Sequence, residues 1–536
     1  MDSEKKATTQ STHVESVEDG AKAHTQIELE AREASDIEHS MSILEAIKVY
    51  PKAVIWSIIV SLTICMEGYD VNLMPNLIAY PSFKRDFGQY FEGVGYQLTG
   101  TWQVLLTTGY CVGTVIGVFM NGYLSERFGH RWTLMGSLAI LNGLIFLMFF
   151  ATNVEMLFAS QFLCGLPWGV FATIGPAYAS EVCPLALRGI LTSYINVCFC
   201  IGQFISAGVL NGLVSNNTEW SYRIPFAVQW AWPLPIMVMI YFAPDSPWWL
   251  VRKGNLEGAK KNLQRLVNEE KHGNLDKQIS LMIYTDEVER EIESGTSYFD
   301  CFKGFDLRRT EISCCVFAGQ VLSGNNFAYG GTYFFEQAGM EPSNSYKLGF
   351  GSTAMALAGT LLSWFVMNKM GRRPIYVTGL ACMTIILLLI GFLSFSSNSN
   401  VKWAQAAFTM IWLFVYSLTV GPLGWAIPSE MSSMRLRNKT ICLARNTYYV
   451  LNIAGGALEP YMMNPTEWNW KAKTGFFWAG SCFLITVWAF FRLPESKGRM
   501  PQELDILFSK RISARKFSKY RKEDLQELDS EEPNTV

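Results

Sequence analysis

Long apolar runs alternate with short polar segments along most of the 536-residue chain. A helix needs about 20 apolar residues to cross the roughly 30 Å hydrocarbon core of a bilayer. Measured in this way, the pattern predicts twelve membrane-spanning helices, near residues 52–78, 98–121, 132–151, 155–180, 190–213, 224–243, 311–336, 347–368, 374–395, 402–428, 439–463 and 474–492. We therefore expect an all-α polytopic membrane protein.

The runs form two sets of six, separated by a long charged segment between residues 252 and 309. Three short motifs of the first set recur in the second. The matched residues are Gly129 and Gly371, 242 residues apart, Glu181 and Glu430, 249 apart, and Pro244 and Pro494, 250 apart. Three similar offsets predict two pseudo-symmetric six-helix halves around a central cavity, which permits transport by rocking one half against the other.

Basic residues set the expected orientation. Lys and Arg are concentrated in GYLSERFGHRWT, NKMGRRP and SSMRLRNKT, which the positive-inside rule places in the cytosol. The predicted parts are a disordered cytosolic N-terminal tail (1–48), an N-terminal six-helix half (49–243), a cytosolic helical segment (244–310), a C-terminal six-helix half (311–492) and a cytosolic C-terminal tail (493–536). Asn216 then begins an external glycosylation sequon, used or unused, whereas the Asn438 sequon lies inside and stays bare.

The composition argues against several functions. Hydrophobic residues make up 50% of the chain and charged residues 17%, and the net charge is -2. The chain is therefore too apolar for an ordinary soluble enzyme and has no basic field for nucleic acid. It contains no metal cluster, nucleophile motif, dinucleotide loop or ATP-binding GxxxxGK[ST] loop. We expect a monomer in the lipid bilayer that is not an enzyme and uses no cofactor.

The stretch ICMEGYDVN places two acids, Glu67 and Asp70, in the first apolar run. A charge at mid-membrane costs about 2.5 to 3.5 kcal/mol on insertion scales, unless it has a partner or a watery cavity. Residues three apart share a helix face, so repulsion and partial desolvation favour joint titration with a proton on at least one acid. Arg445, in the eleventh run, is a candidate partner, although snorkelling to the cytosol or a partner elsewhere remains open.

Seven motifs then occur in the order typical of one family: GYLSERFGHR, SEVCPLALRG, GQ at residues 202 and 203, PDSPWWLVRKG, GRR at 371–373, GPLGWAIPSEMSSMRLR and LPESKGR. In these the chain resembles the sugar porter branch of the major facilitator superfamily. Longer stretches, among them EGYD, GLPWG, PFAVQWAWPLP, TYFFEQAG and RLRNKTICLARN, are similar to fungal maltose-type α-glucoside permeases. The resemblance implies a multi-pass plasma-membrane sugar transporter with the twelve-helix major facilitator fold.

The same resemblance assigns roles to residues. It implies that Asp70 is the proton site and that Glu67 is the extra acid of the maltose-permease pattern. Gln161 and Thr114 depart from the pattern, because an Arg and an acid are expected there. Gly330 and Gly331 replace two tyrosines of hexose carriers, which fits a larger sugar.

Side chains suited to sugar hydroxyls and rings are implied at the substrate site. These are Gln203, Gln320, Asn326, Trp425, Asn452, Tyr448 and Tyr449. Structural hydrogen bonds between helices are the alternative role for the amides.

Ten charged residues lie at the predicted cytosolic ends of spans, where opposite charges of the two halves can pair when the inner mouth is shut. They are Glu126, Arg127, Arg131, Glu181, Arg188, Arg372, Arg373, Glu430, Arg435 and Arg437. The alternative is that the basic ones only fix the topology.

Three functions remain open from the sequence. The first is proton-coupled uptake of an α-glucoside disaccharide such as maltose, by alternating access. The second is a facilitator or symporter for hexose or another disaccharide, such as lactose or sucrose. The third is a sugar-sensing transceptor that signals through its tails.

Overall fold

The structure is a computed structural model. It describes residues 41–93, 95–268, 275–293, 297–396, 398, 400–497, 499 and 501–520, with single positions between 26 and 37. The predicted N-terminal tail and the end of the C-terminal tail lie mostly outside these residues. The side chains of Arg188 and Asn438 also lie outside the description.

The first half of the described chain consists of long helices joined by shorter ones. These are α1 (Ile43–Val49), α2 (Pro51–Leu77), α3 (Pro81–Phe87), α4 (Gly100–Phe149), α5 (Val154–Val182), α6 (Leu185–Leu213), α7 (Trp220–Val228) and α8 (Pro233–Phe242). A 3-10 turn, Gln229–Ala231, joins α7 to α8 in one apolar stretch. A short antiparallel hairpin, β1 (Gln89–Phe91) and β2 (Gly95–Gln97), was not predicted from the sequence.

The central segment and the second half are also helical. The central helices are α9 (Pro247–Arg252), α10 (Leu256–Leu266) and α11 (Leu275–Glu293). The second half contains α12 (Asp306–Leu322), α13 (Asn325–Tyr329), α14 (Gly331–Gln337), α15 (Pro342–Lys369), α16 (Arg372–Leu393), α17 (Val401–Leu418), α18 (Val420–Met431), α19 (Arg437–Met463) and α20 (Thr474–Arg492), and α21 (Pro501–Ser509) follows it.

The described helices account for the twelve predicted spans. Nine stretches of the described chain are long and apolar enough to cross a membrane. One of them, α4, has 50 residues, about 75 Å at 1.5 Å per residue, and the non-helical backbone of Gly129 (φ 81°) divides it into two spans. The seventh span consists of α12 to α14, interrupted at Gly324 (φ 94°), and the eleventh is the more polar α19. The predicted fold class is confirmed.

An even number of spans places both ends of the described bundle and the central helices on one face. We call this the termini face and the other the opposite face. The two halves meet where α6 packs against α15 and where α4 packs against α19. Within the first half α2 packs closely on α6, because a Cβ at Gly68 would lie only 2.2 Å from the Phe199 carbonyl oxygen. Small residues permit such close approach in membranes, and here they fix the helices that carry Asp70 and Gln203.

Candidate functional site

Asp70 lies in the last third of α2, and only 2% of its surface is exposed. Its Oδ1 accepts a hydrogen bond of 2.5 Å from Nε2 of Gln229, which belongs to the turn between α7 and α8. The amide of Gln161, on α5, is a second hydrogen-bonding partner. Within the described chain no basic side chain forms an ion pair with Asp70. Two neutral amides therefore hold this carboxyl, where the resemblance implied an arginine at position 161.

Glu67, one turn earlier on α2, faces the other half. The charge acting on it is that of Arg445, on α19, and Tyr448 and Tyr449 lie within its electrostatic range. Arg445 donates a hydrogen bond to the Tyr449 hydroxyl over 3.2 Å. Its guanidinium carbon lies 3.9 Å from the ring centre of Trp425, a cation–π contact. Arg445 thus lies near Glu67, although these two described residues form no direct ion pair.

The two acids of α2 therefore have different surroundings. Among their described partners, those of Asp70 belong to the first half and those of Glu67 come mainly from α19. No partner is common to both among the described residues. Spacing along the helix was the basis for expecting joint titration, and that expectation stays a prediction.

The four predicted amides fall into two groups. Gln320 donates to a backbone carbonyl of α18 over 2.9 Å, and Asn452 donates to the Cys111 thiol over 3.3 Å. In this conformation both join helices. By contrast, Oε1 of Gln203 and Nδ2 of Asn326 are buried without a hydrogen-bond partner among the described residues. Buried polar groups are normally paired, so these two amides have unused capacity to bind hydroxyl groups.

A small cavity, partly open to solvent, lies between the halves. Its polar lining residues are Asn72, Asn76, Thr332, Tyr346, Ser352 and Thr353. Gly331, one of the two glycines that replace tyrosines of hexose carriers, also lines it. Tyr329, another lining residue, is hydrogen-bonded to the Gln203 amide. The sequence did not predict the polar residues, because small polar side chains within apolar spans have no distinctive signal.

One cluster of charges lies at the termini face of the first half. His130 Nε2 lies 3.0 Å from Oε2 of Glu181, and Nη1 of Arg252, on α9, lies 3.4 Å from the other carboxylate oxygen. The Ser246 hydroxyl is also hydrogen-bonded to Glu181. The cluster therefore connects α4 and α5 to the beginning of the central segment.

The second half carries the equivalent cluster. Nε and Nη2 of Arg372 lie 3.2 and 3.1 Å from Oε1 of Glu430, and the Ser496 hydroxyl donates to the other oxygen over 2.5 Å. Neither cluster thus pairs a charge of one half with a charge of the other among the described residues. The predicted pairing between halves, in the state with a shut inner mouth, stays a prediction.

A second acid in each cluster accepts from the backbone just after the matched glycine, Gly129 or Gly371. Asp245 accepts the Arg131 N–H over 3.2 Å, and Glu495 accepts the N–H groups of Arg372 and Arg373 over 2.8 and 3.3 Å. Burial raises the pKa of the Asp245 carboxyl, although the Arg131 N–H and nearby positive charges act in the opposite direction. The repeated motifs of the sequence are therefore repeated hydrogen-bonding units.

The other predicted gate residues contact groups outside these pairs. The side chains of Glu126 and Arg437 form no ion pair within the described chain. Arg127 donates to the Tyr123 hydroxyl, Arg131 to the Tyr241 carbonyl, Arg373 to the Phe490 carbonyl, and Arg435 lies in electrostatic range of Asp300.

Asn216 lies in the turn between α6 and α7, on the opposite face. Its Oδ1 accepts hydrogen bonds from the backbone N–H and the hydroxyl of Thr218, over 3.0 and 2.7 Å. The turn is thus ordered by the sequon itself, and whether it is glycosylated stays a prediction.

Residues 56–508 match the sequence profile of the family described as "Sugar (and other) transporter". The chain belongs to the sugar transporter family. It is 39% identical over 495 residues to the general alpha-glucoside permease of Saccharomyces cerevisiae strain S288c, covering 91% of this chain and 80% of the relative. To the maltose permease MAL31 of the same yeast it is 38% identical over 495 residues, with 91% and 81% covered.

Solved structures extend the comparison to the fold. The partially occluded inward-open conformation of the xylose transporter XylE from E. coli matches with a TM-score of 0.68 and 18% identity, covering 83% of this chain and 98% of that one. XylE bound to 6-bromo-6-deoxy-D-glucose, a proton:xylose symporter of the major facilitator superfamily, matches with a TM-score of 0.68 and 19% identity. These likenesses confirm the major facilitator fold.

In this sugar transporter, several direct bonds between the halves lie on the opposite face. Lys84, on α3, forms an ion pair with Glu336, on α14. The Tyr346 hydroxyl donates to the Asn76 carbonyl over 2.5 Å, and Asn464 donates to the backbone just before α4 over 3.0 Å. The termini-face clusters instead contain no pair between the halves among their described members. The described conformation is therefore closed across the opposite face.

Three side chains of this transporter went unassigned in the sequence analysis. Gln229 lies within the quoted motif PFAVQWAWPLP, but only the fold reveals its bond to Asp70. His130 lies in a motif read as basic, although its contact is with Glu181. Glu459 is a buried carboxyl near the end of α19. The sequence could have indicated it, because it is an isolated acid within the eleventh predicted span.

Proposed function

We propose that this sugar transporter imports an α-glucoside disaccharide together with a proton across the plasma membrane, by alternating access. The observation that carries the proton coupling is the Asp70 carboxyl, buried and held only by amides within the described chain. The sugar class is supported by the similarity to yeast alpha-glucoside and maltose permeases. The proposal treats the termini face as cytosolic, following the positive-inside rule.

Asp70 suits reversible proton binding. An ionised carboxylate in a dry site is costly unless a cation pairs with it. Gln229 can donate to the carboxyl in either protonation state, so the group can gain and lose a proton without losing this bond. A direct arginine partner would favour the ionised form throughout the cycle. The amide at position 161 therefore supports proton exchange at Asp70.

The sugar would bind between the halves. The unpaired amide atoms of Gln203 and Asn326 supply an acceptor and a donor for hydroxyl groups. Glu67 and Arg445, one from each half, lie in the same region and can sense whether the halves are together. Gly331 lines the space between the halves, and the lack of a side chain where hexose carriers have a tyrosine supports a substrate larger than one hexose.

The energetics of coupling to one proton are sufficient. A proton moving down ~100 mV contributes about 2.3 kcal/mol, and one pH unit adds roughly 1.4 kcal/mol. The sum of about 3.7 kcal/mol can sustain a sugar gradient on the order of 500-fold.

The first prediction tests Asp70 directly. In proteoliposomes with an imposed proton gradient, the wild type should accumulate radiolabelled maltose, whereas Asp70→Asn should only equilibrate it, a loss of up to about 500-fold in the attainable gradient. Sugar exchange without a gradient should persist in the variant, because the sugar amides are intact.

Glu155→Gln is the matched control, since Glu155 is an exposed acid at the start of α5. Undiminished accumulation by Asp70→Asn would contradict the proposal. Equilibration without accumulation by the wild type, insensitive to uncoupler, would instead identify a facilitator. Parallel uptake of sucrose, trehalose, lactose and glucose would define the sugar.

A further inference from the structure

A second buried carboxyl lies in the other half, and the mechanism above does not use it. Glu459 is near the end of α19 that approaches the opposite face, and 8% of its surface is exposed. It is thus comparable in burial to Asp70, at 2%. The residue that follows it is Pro460, within the same helix.

The two oxygens of this carboxyl have unequal surroundings. Oε2 accepts a hydrogen bond of 2.6 Å from the indole Nε1 of Trp478, on α20. Oε1 is buried and has no hydrogen-bond partner among the described residues. No basic side chain and no second acid of the described chain acts on Glu459 from its own helix or from the helices packed on it, α4, α12, α13, α18 and α20. The site therefore contains one donor and no compensating charge.

Trp478 connects Glu459 to the broken seventh span. The Trp478 Cβ lies 3.2 Å from the position that a Cβ at Gly324 would take, at the interruption between α12 and α13. The far edge of the indole, Cη2, lies 3.1 Å from the corresponding position at Gly455. The same position at Gly455 lies 2.6 Å from Nδ2 of Asn326. The indole thus lies between the Glu459 carboxyl and the Asn326 amide, which is proposed to bind sugar.

An ionised carboxylate does not fit this site. One oxygen would remain buried without a donor or cation, which is far more costly for a charged group than for a neutral one. Protonation removes the charge while Oε2 keeps its bond to the indole. Ionisation requires water or a new donor at Oε1, and either would displace Trp478 or the chain beside it.

We propose that Glu459 is a second proton-binding site of this transporter, occupied in the conformation that is closed across the opposite face. The carboxylate takes up a proton from water to become a neutral carboxylic acid, and the proton returns to water on release. Through Trp478, occupancy at Glu459 fixes the interruption at Gly324 and the position of Asn326. The inference goes beyond the proposed function, which assigns proton binding to Asp70 alone.

Infrared difference spectroscopy of the purified full-length chain in liposomes tests this without any transport. Stepping the pH upward should bleach the C=O stretch of protonated carboxyl groups. In the wild type two band components should bleach. One of them should be absent from Glu459→Gln, and the other should be absent from Asp70→Asn. Glu467→Gln, an exposed acid after the same helix, should leave the spectrum unchanged. A wild-type spectrum in Glu459→Gln would overturn the proposal.

Trp478→Phe provides a second variant that keeps the carboxyl. Loss of the indole N–H should move the Glu459 band to higher frequency, because a free C=O is stronger than a hydrogen-bonded one. An unmoved band would assign it to another group and also overturn the proposal. The outcomes for the two sites are separable. If a band component is absent from Glu459→Gln and no component is absent from Asp70→Asn, the result would support this inference and count against the proposed role of Asp70.

Discussion

The two termini-face clusters occupy equivalent places in the two halves but contain different cations. Glu181 faces His130 over 3.0 Å, whereas Glu430 faces Arg372 over 3.1 Å. Glu181 also has the guanidinium of Arg252 at 3.4 Å, so each carboxylate has an arginine partner and the first cluster adds an imidazole. The comparison teaches that one framework of carboxylate, serine and capping acid takes its arginine from the same half in the second cluster and from the central segment in the first.

The clusters also differ in what they connect. Arg252, on α9, joins the first cluster and also lies 3.7 Å from Asp286, on α11. The second cluster contains no central helix among its described members, and its serine follows α20. The first cluster therefore links the six-helix half to the central segment, so its state can be transmitted there.

The largest expected effect comes from removing the carboxylate of each cluster. Glu430→Gln breaks a permanent, partly buried pair and should cost about 1–2 kcal/mol, or roughly 5- to 30-fold in the balance between conformations. Glu181→Gln should cost as much or more, because it removes the partner of both His130 and Arg252, and it should also increase hydrogen exchange in α9. Initial uptake rates and hydrogen exchange of the termini-face segments measure both effects. Unchanged exchange of α9 in Glu181→Gln would break the comparison.

A smaller effect should follow from removing the side chains that face the two carboxylates. Arg372→Gln removes the arginine of the second cluster, whereas His130→Gln keeps a donor near Glu181 and leaves Arg252 in place. His130→Gln should therefore lower uptake by about threefold at most, and Arg372→Gln by more. Initial uptake rates measure both, and Lys253, exposed after α9, offers the control Lys253→Gln. An equal loss in both variants would mean that Arg252 does not compensate for His130.

The sequence predicted the spans and the repeated motifs because both depend on local features. Apolar run length predicts a helix, and the offsets of Gly129, Glu181 and Pro244 predicted two halves. The partners of the charged residues were not predictable in this way. From the sequence alone, several basic residues are equally good candidate partners for Glu181. Only the fold shows that His130 and Arg252 lie beside it.

The acids of the spans show the same limit. Asp70 was predicted because a charge in an apolar run is costly, but its partners Gln161 and Gln229 come from helices distant in sequence. Glu67 lies one turn away on α2 and yet has partners on α19. Helical spacing predicts which side chains share a face, and the packing of the other helices decides what that face meets.

Substitution of the matched glycines Gly129 and Gly371 should affect the stability of the fold rather than the transport rate. Gly129 has φ 81°, so Gly129→Ala should cost about 1–3 kcal/mol in backbone strain. Gly371 has φ -71°, but a Cβ there would lie 2.1 Å from Oε2 of Glu495. Gly371→Ala should therefore be partly rescued by Glu495→Asp, which withdraws the carboxylate, whereas Asp245→Ala should not rescue Gly129→Ala. Melting temperatures in detergent measure this, with shifts of a few degrees. Rescue in both halves would mean that carboxylate contact, rather than the backbone, limits both positions.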